Sequence, residues 1–236
     1  MCGRYATSRS TVDLAALFEA LDETGDVLMP DYNVAPTDPV PIVTAASGGR
    51  TVRVARWGLV PPWARDARIG TRMINVRAET VLSSNAFAPS FRTRRCLVPA
   101  DGWYEWRPRE GGGRQAYFLT AGDGTGLVFA GLWAVSATGL VTLSIITTAA
   151  IGHLKSVHDR MPLLLPPDRW GGWLCGPADP ATLLAVPPMK FLDLLELRPV
   201  GPEVGDVRND GPALTARTTM TALPQQDVKP TDLTLF

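Results

Sequence analysis

Apolar residues recur along this chain with two distinct periods. From Ser10 to Gly25 the period is helical, with Leu14, Leu17, Phe18 and Leu21 at i, i+3, i+4 and i+7. Ser10 and Asp13 have capping-box spacing, with Asp in place of the usual Glu, and Gly25 closes the segment. This predicts an amphipathic helix whose apolar stripe is core. Asp31–Thr37 reads as a polar, proline-bounded loop. Strand-like runs follow at 39–45 and 51–57, joined by a hairpin at 47–50. Pro61 and Pro62 exclude a regular helix or central strand after Trp57, so 56–64 is expected to be a rigid loop bearing Trp57 and Trp63. Asn75–Thr80 reads as a loop running into a helix. Short strands are predicted near 96–100, 103–107, 115–120, 127–133 and 140–148, with Gly-rich turns at 111–113 and 122–124. Helical segments are expected at 149–157, 167–175 and 180–185, and a last strand at 195–200. Neighbouring short strands with tight turns indicate an α+β architecture, mainly antiparallel. No repeat or composition break divides the chain, so one domain over 1–220 and a polar tail over 221–236 are expected.

At 236 residues the chain has ample length for a buried core, and 45% apolar content with 19% charge is ordinary for a globular protein. No apolar run is long enough to span a bilayer and no signal-peptide pattern opens the chain, so no membrane partner is expected. Cys2, Cys96 and Cys175 are odd in number and widely spaced, which argues against a disulfide framework and offers no metal-ligand pair. Neither metal nor cofactor is expected, and a reducing cytoplasm fits best. The formal net charge is zero, yet residues 50–114 hold thirteen Arg, no Lys and five acids, a local balance of +8. A basic segment of this kind permits a localised phosphate-binding face. Arg-for-Lys bias also follows from GC-rich coding.

Five features carry candidate chemistry. Removal of Met1 would leave Cys2 as a 1,2-aminothiol, whose amine condenses with an aldehyde and whose thiol then closes a thiazolidine; the plain alternative is a small residue after the start codon. Reference pKa values of about 8 and 8.5 give both groups reactive fractions near neutral pH. Glu105 lies in Trp103-Tyr104-Glu105-Trp106, where alternation puts Trp103 and Glu105 on one strand face and Tyr104 and Trp106 on the other. An indole beside the carboxyl would raise its pKa towards general-acid values, unless the strand leaves it exposed. His158 stands before Asp159-Arg160-Met161-Pro162 and is either a proton carrier or a surface residue paired with Asp159. His153, inside the predicted helix, is expected to be structural. Trp63 is the indole best placed for exposure and base stacking. Arg4 and Arg77 read singly as salt-bridge residues, and Cys96 and Cys175 as inert core thiols.

Six stretches in order then resemble the SRAP family, the "SOS response-associated peptidase" proteins that process abasic sites in single-stranded DNA. They are Met1–Tyr5, Asn33–Thr37, Trp57–Pro61 with Trp63, Asn75–Thr80, Arg95–Ala100 continuing through Gly102–Trp106, and His158–Pro162. The resemblance spans residues 1 to about 215. It implies a curved, barrel-like antiparallel β core with surrounding short helices. It also implies that mature Cys2 links covalently, as a thiazolidine, to the ring-opened aldehyde of an abasic site, with Asn75, Glu105 and His158 completing the catalytic set. Arg4, Arg77 and Arg160 are the implied phosphate contacts, with Trp63 and Asn33 beside the DNA. An AP-lyase activity and N-terminal self-processing are further implications, and a monomer is expected.

Two other readings stand beside this one: a cysteine peptidase acting in trans with Cys2 as nucleophile and His158 as base, and a non-catalytic DNA-binding module. The tail supports two further readings. Leu233-Thr234-Leu235-Phe236 either folds back on the domain or docks, like similar peptides of bacterial repair proteins, in the groove of a replication sliding clamp.

Overall fold

Helix α1 (Thr11–Phe18) starts as its capping residues predict: the Ser10 side chain accepts the Asp13 backbone N–H at 3.1 Å. It is shorter than its apolar period suggests. Glu19 turns left-handed, φ 49°, and ends the helix. Ala20–Asp22 forms strand β2, paired in parallel with β5 (Gly49–Trp57). Leu21 is therefore 67% exposed and Leu17 42%, while only Leu14 and Phe18 of the predicted stripe are buried. Strand pairing satisfies the Ala20–Asp22 backbone, and that overrides the helical period.

The computed structural model describes residues 2–46, 48–177 and 179–218; the 221–236 tail and its Leu233–Phe236 tip lie outside them. The remaining strands are β1 (Tyr5–Thr7), β3 (Asp31–Val34), β4 (Pro39–Ala46), β6 (Asn75–Arg77), β7 (Arg95–Ala100), β8 (Gly102–Pro108) and β9 (Arg114–Ala121). After them come β10 (Leu127–Val135), β11 (Val141–Ala149), β12 (Arg160–Pro162) and β13 (Leu195–Pro199). Short helices α2 (Ala88–Thr93), α3 (Trp170–Cys175), α4 (Pro180–Leu183) and α5 (Met189–Leu192) fill the connections. Three expectations change here. Asp31–Val34 and Asn75–Arg77 are strands, because each finds a partner, β1 and β11 respectively. Directly after β6 the chain makes only a single 3-10 turn, Ala78–Thr80, and the helix first forms at α2. The segment expected to be helical from 149 continues β11 and then makes a 3-10 turn over Gly152–Ser156.

The α+β, mainly antiparallel reading holds, but the barrel-like core does not. The strands divide into two sheets, of order β13-β9-β8-β1-β3 and β12-β11-β10-β7-β4-β5-β2, with β6 beside β11 and β5 meeting β11 only at Arg56–Thr142 and Trp57–Leu143, too short a seam to close a barrel. The partition turns on a corner. Strand β7 belongs to the larger sheet and β8 to the smaller, so the chain changes sheet between Ala100 and Gly102. Gly102 permits it: a Cβ there would stand 2.4 Å from the Leu119 carbonyl oxygen and 2.6 Å from the Phe118 ring. Local sequence marks hairpins, and gives no sign of which hairpin crosses from one layer to another.

Strand alternation builds three apolar layers around these sheets. Between the sheets lie Cys2, Tyr5, Trp57, Cys96, Val98, Trp103, Phe129 and Ile145. On the far face of the larger sheet, Leu97, Val128, Ala130 and Ile146 meet Leu14, Phe18, Phe91 and Trp173. On the far face of the smaller sheet, Tyr104, Phe118, Val200 and Val204 pack together with Trp106. Tyr5 anchors the inter-sheet layer, its ring edge-on to Trp57 at 5.1 Å and to Phe129 at 5.9 Å. Cys96 is buried as expected, with its thiol pKa pushed up by burial. Cys175 is exposed instead, since α3 turns Trp173 inward.

Candidate active site

The two sheets meet where the four candidate residues come together. Cys2 precedes β1 and Glu105 lies in β8, which are neighbours in the smaller sheet through Tyr5 opposite Trp103. Asn75 opens β6, beside β11 of the larger sheet, and His158 stands just before β12 on the other side of β11. The Asn75 side chain bridges the seam, Nδ2 donating to the Cys2 carbonyl oxygen at 2.6 Å. Its Oδ1 is buried and without a partner among the described residues. A buried carbonyl oxygen in that state costs stability and is available to a donor entering the site.

Cys2 is fully buried. Burial pushes its thiol well above the ordinary range, the Glu105 carboxylate adds to the rise, and a hydrogen bond from the Arg4 backbone opposes it. The resting group is thus a thiol that needs a base before it reacts as a thiolate. Glu105 is 3% exposed, and burial raises its pKa to about 7; the Asp159 charge pushes in the same direction. Its charge thus couples to both Cys2 and Asp159. The face assignment from sequence is also met: Trp103 packs between the sheets with Cys2, while Tyr104 and Trp106 point to the opposite layer.

His158 is partly buried, and burial lowers its pKa, with Asp159 working against that shift. Its Nδ1 accepts the Arg160 backbone N–H at 2.9 Å and lies 2.8 Å from Asp159 Oδ1. These contacts ask for different protonation states. The lowered pKa favours the neutral ring near pH 7, with Nδ1 accepting from Arg160 and the proton on Nε2. Protonation would turn Nδ1 to the Asp159 carboxylate. His153 makes a contact outside this cluster, Nε2 to the Leu195 carbonyl oxygen at 3.1 Å.

The five residues expected beside DNA fall into two groups. Trp63, on its proline-bounded loop, is 63% exposed, and Arg77 is exposed at the end of β6. The other three are engaged within the fold. Arg4 donates to Asn33 Oδ1 at 2.7 Å and to the Val204 carbonyl at 3.0 Å. Asn33, 3% exposed, donates in turn to the carbonyls of Asp206 at 3.0 Å and Asn209 at 2.8 Å, tying down the 203–210 segment. Arg160 forks onto Glu79, at 2.7 and 3.0 Å, and reaches the Thr147 carbonyl at 2.7 Å. Sequence reasoning missed Glu79 and Asp159 as site residues; both lie inside the quoted motifs, four residues after Asn75 and one after His158. No group of three or more His, Cys, Asp or Glu able to hold a metal occurs among the described residues.

Known proteins share this arrangement of chain and fold. Abasic site processing protein YoaM of Bacillus subtilis is 35% identical over 181 residues, covering 74% of this chain and 79% of that protein. Abasic site processing protein YedK of Escherichia coli is 30% identical over 230 residues, covering 91% and 98% respectively. A crystal structure of a Bacteroides thetaiotaomicron protein superposes with a TM-score of 0.81 at 24% identity, over 92% of this chain and all of that one. A Bordetella bronchiseptica protein does so with a TM-score of 0.72 at 25% identity, over 85% of this chain and all of its own. The family model for SOS response associated peptidase (SRAP) matches residues 1–207. The chain belongs to the SRAP family.

Proposed function

We propose that this protein processes abasic sites in single-stranded DNA by forming a covalent thiazolidine through Cys2 once Met1 is removed. The observation that carries this reading is the seam itself: a buried Cys2 held by Asn75, with a carboxyl of pKa about 7 within electrostatic reach. The names of YoaM and YedK, both abasic site processing proteins, support the same substrate.

The chemistry assigns work to each group. An abasic deoxyribose must open to its C1′ aldehyde, with a proton delivered to the ring oxygen and one removed from the C1′ hydroxyl. The Cys2 amine adds to the aldehyde, giving a carbinolamine. Loss of its hydroxyl as water needs a proton donor, and a carboxyl with pKa about 7 is half protonated at neutral pH. The Cys2 sulfur then adds to the imine carbon while the thiol proton passes to nitrogen, closing the five-membered ring. The overall change is loss of one water. Neutral His158, with its proton on Nε2, is suited to donate to the departing hydroxyl beside Glu105, and Asn75 fixes the Cys2 backbone so that amine and thiol face one carbon. Exposed Trp63 and Arg77 are the side chains fitted to stack on a base and to meet a phosphate. An imine that lingers is an electron sink, from which β-elimination of the 3′ phosphate would give lyase activity.

The test is an incubation of the processed protein with a single-stranded oligonucleotide carrying one abasic site. Intact mass should show protein plus DNA minus one water, resistant to denaturation. Cys2→Ala should abolish this adduct, and an unchanged yield from that variant would end the thiazolidine reading. An N-terminal extension of one uncleavable residue should also abolish it while leaving the fold intact.

A further inference from the structure

The face of the smaller sheet that carries Glu105 changes character one row at a time. Directly opposite residues of antiparallel strands share a face, with Cβ atoms about 4.5–5.5 Å apart. The innermost row runs Tyr5–Trp103–Leu119–Leu197 across β1, β8, β9 and β13, and it packs into the apolar layer between the sheets. The next row is Glu105–Tyr117–Pro199. Glu105 is buried there, whereas Tyr117 is only half-buried: it packs against the inter-sheet layer and keeps part of its surface in solvent. Two residues beyond Glu105, about 7 Å along β8, Arg107 stands on the same face, opposite Gln115. Arg107 is exposed, and it has neither a hydrogen-bond nor an ion-pair partner among the described residues.

These two side chains have the chemistry of a nucleotide site. An aromatic ring steadied by packing and partly open to water offers a base a surface to stack on, at little cost in ordering. An arginine with no internal partner keeps its planar fork for a phosphate. The other arginines of this hairpin differ. Arg109 donates to Gln115 Oε1, and Arg114 lies opposite Pro108, on the far face of the sheet. Arg107 alone of the three is both unpaired and on the Glu105 face. Across the seam, exposed Arg77 ends β6 beside β11, and exposed Trp63 follows β5, so both belong to the larger-sheet side. Each bank of the seam therefore carries one aromatic ring and one arginine.

We infer that Tyr117 and Arg107 form a nucleotide subsite on the smaller-sheet bank, where Tyr117 stacks on the base adjoining the abasic position and Arg107 takes a phosphate. The inference rests on the proposed reaction with abasic single-stranded DNA. It gives the smaller sheet a binding role beside its chemical one. The strand crosses the seam held on both banks, with the base-free sugar between them at Cys2.

Fluorescence anisotropy with an undamaged single-stranded oligonucleotide tests this apart from the covalent step. Tyr117→Leu keeps apolar packing and removes the ring face; Kd should rise by at least about fivefold, with the salt dependence unchanged. Tyr117→Phe should bind as wild type. Arg107→Ala should raise Kd alike for oligonucleotides of different sequence. It should also make the slope of log K against log salt shallower by about 0.7, the share of one phosphate on a single strand. Arg114→Ala, on the far face, should leave that slope as in wild type. Wild-type affinity in Tyr117→Leu overturns the inference, as does Tyr117→Phe binding no better than Tyr117→Leu. Equal changes of slope in Arg107→Ala and Arg114→Ala also overturn it, since general charge would then account for both. Adduct formation with an abasic oligonucleotide is scored separately. Binding losses in the variants without any wild-type adduct would sink the thiazolidine reading and leave the subsite standing. A wild-type adduct with unaltered binding in Tyr117→Leu and Arg107→Ala would sink only the subsite.

Discussion

At the scale of single residues, Glu105 carries the most testable physics. Burial raises its pKa from an ordinary 4.5 to about 7, so the folded protein holds a proton there that the unfolded chain has already lost. Between about pH 4.5 and 7 the folded state therefore binds more protons, and stability contributed by this group must fall as pH rises. The shift corresponds to a loss on the order of 3 kcal/mol across that window. Glu105→Gln should lack this decline in denaturant titrations at pH 4.5 and 8, and a parallel decline in both proteins would remove Glu105 as its source. Cross-linking should also slow as pH rises through 7, if the carboxyl is the acid for water loss, with Glu105→Gln slower by ~10²-fold. The sequence made this residue legible because alternation alone set Glu105 beside Trp103. It could not do the same for Asn33, whose three side-chain hydrogen bonds go to Arg4 and to carbonyls more than 170 residues away.

Among the elements, strand positions were easier to read than strand partners. Hairpins β4–β5 and β8–β9 follow from alternation and intervening glycines, and both pair in register over their lengths. Helix α1 was legible at its start, through Ser10, and not at its end, where Leu21 continued a helical period that β-pairing then cancelled. The separation into two sheets was hidden for the same reason: Gly102 is one glycine among many until Leu119 is seen 2.4 Å from where its Cβ would lie. Gly102→Ala should therefore destabilise the protein by about 1–3 kcal/mol, the usual cost of overpacking, and lower the midpoint of chemical unfolding. An unchanged midpoint would mean that the corner between the sheets moves freely, contrary to its close packing.

For the whole molecule, the basic segment is less available to DNA than its composition suggests. Arg95 is buried, with Nη1 on the Phe91 carbonyl at 2.8 Å, and Arg50 bonds the Phe18 carbonyl at 3.0 Å. Arg53 and Arg68 pair with Glu23 and Asp66. Thirteen phosphate contacts on single-stranded DNA would give a slope of log K against log salt of about −9. With several arginines held internally, binding of an undamaged oligonucleotide should show a clearly shallower slope, measured by fluorescence anisotropy over a salt series. A slope near that limit would mean that the arginines abandon their protein partners on binding.

For the proposed reaction, the bridge from Asn75 to Cys2 also bears on when the terminus becomes reactive. Cys2 and Glu105 come from one sheet, Asn75 and His158 from the other, so no half of the structure holds the full set. With Met1 removed as proposed, a chain still being synthesised exposes its aminothiol first and acquires residue 158 much later. Until the second sheet closes over the first, that terminus has the chemistry of free cysteine, without an acid, a base or a fixed orientation. Under the proposed chemistry, assembly itself would set the moment at which an aldehyde meets a prepared partner.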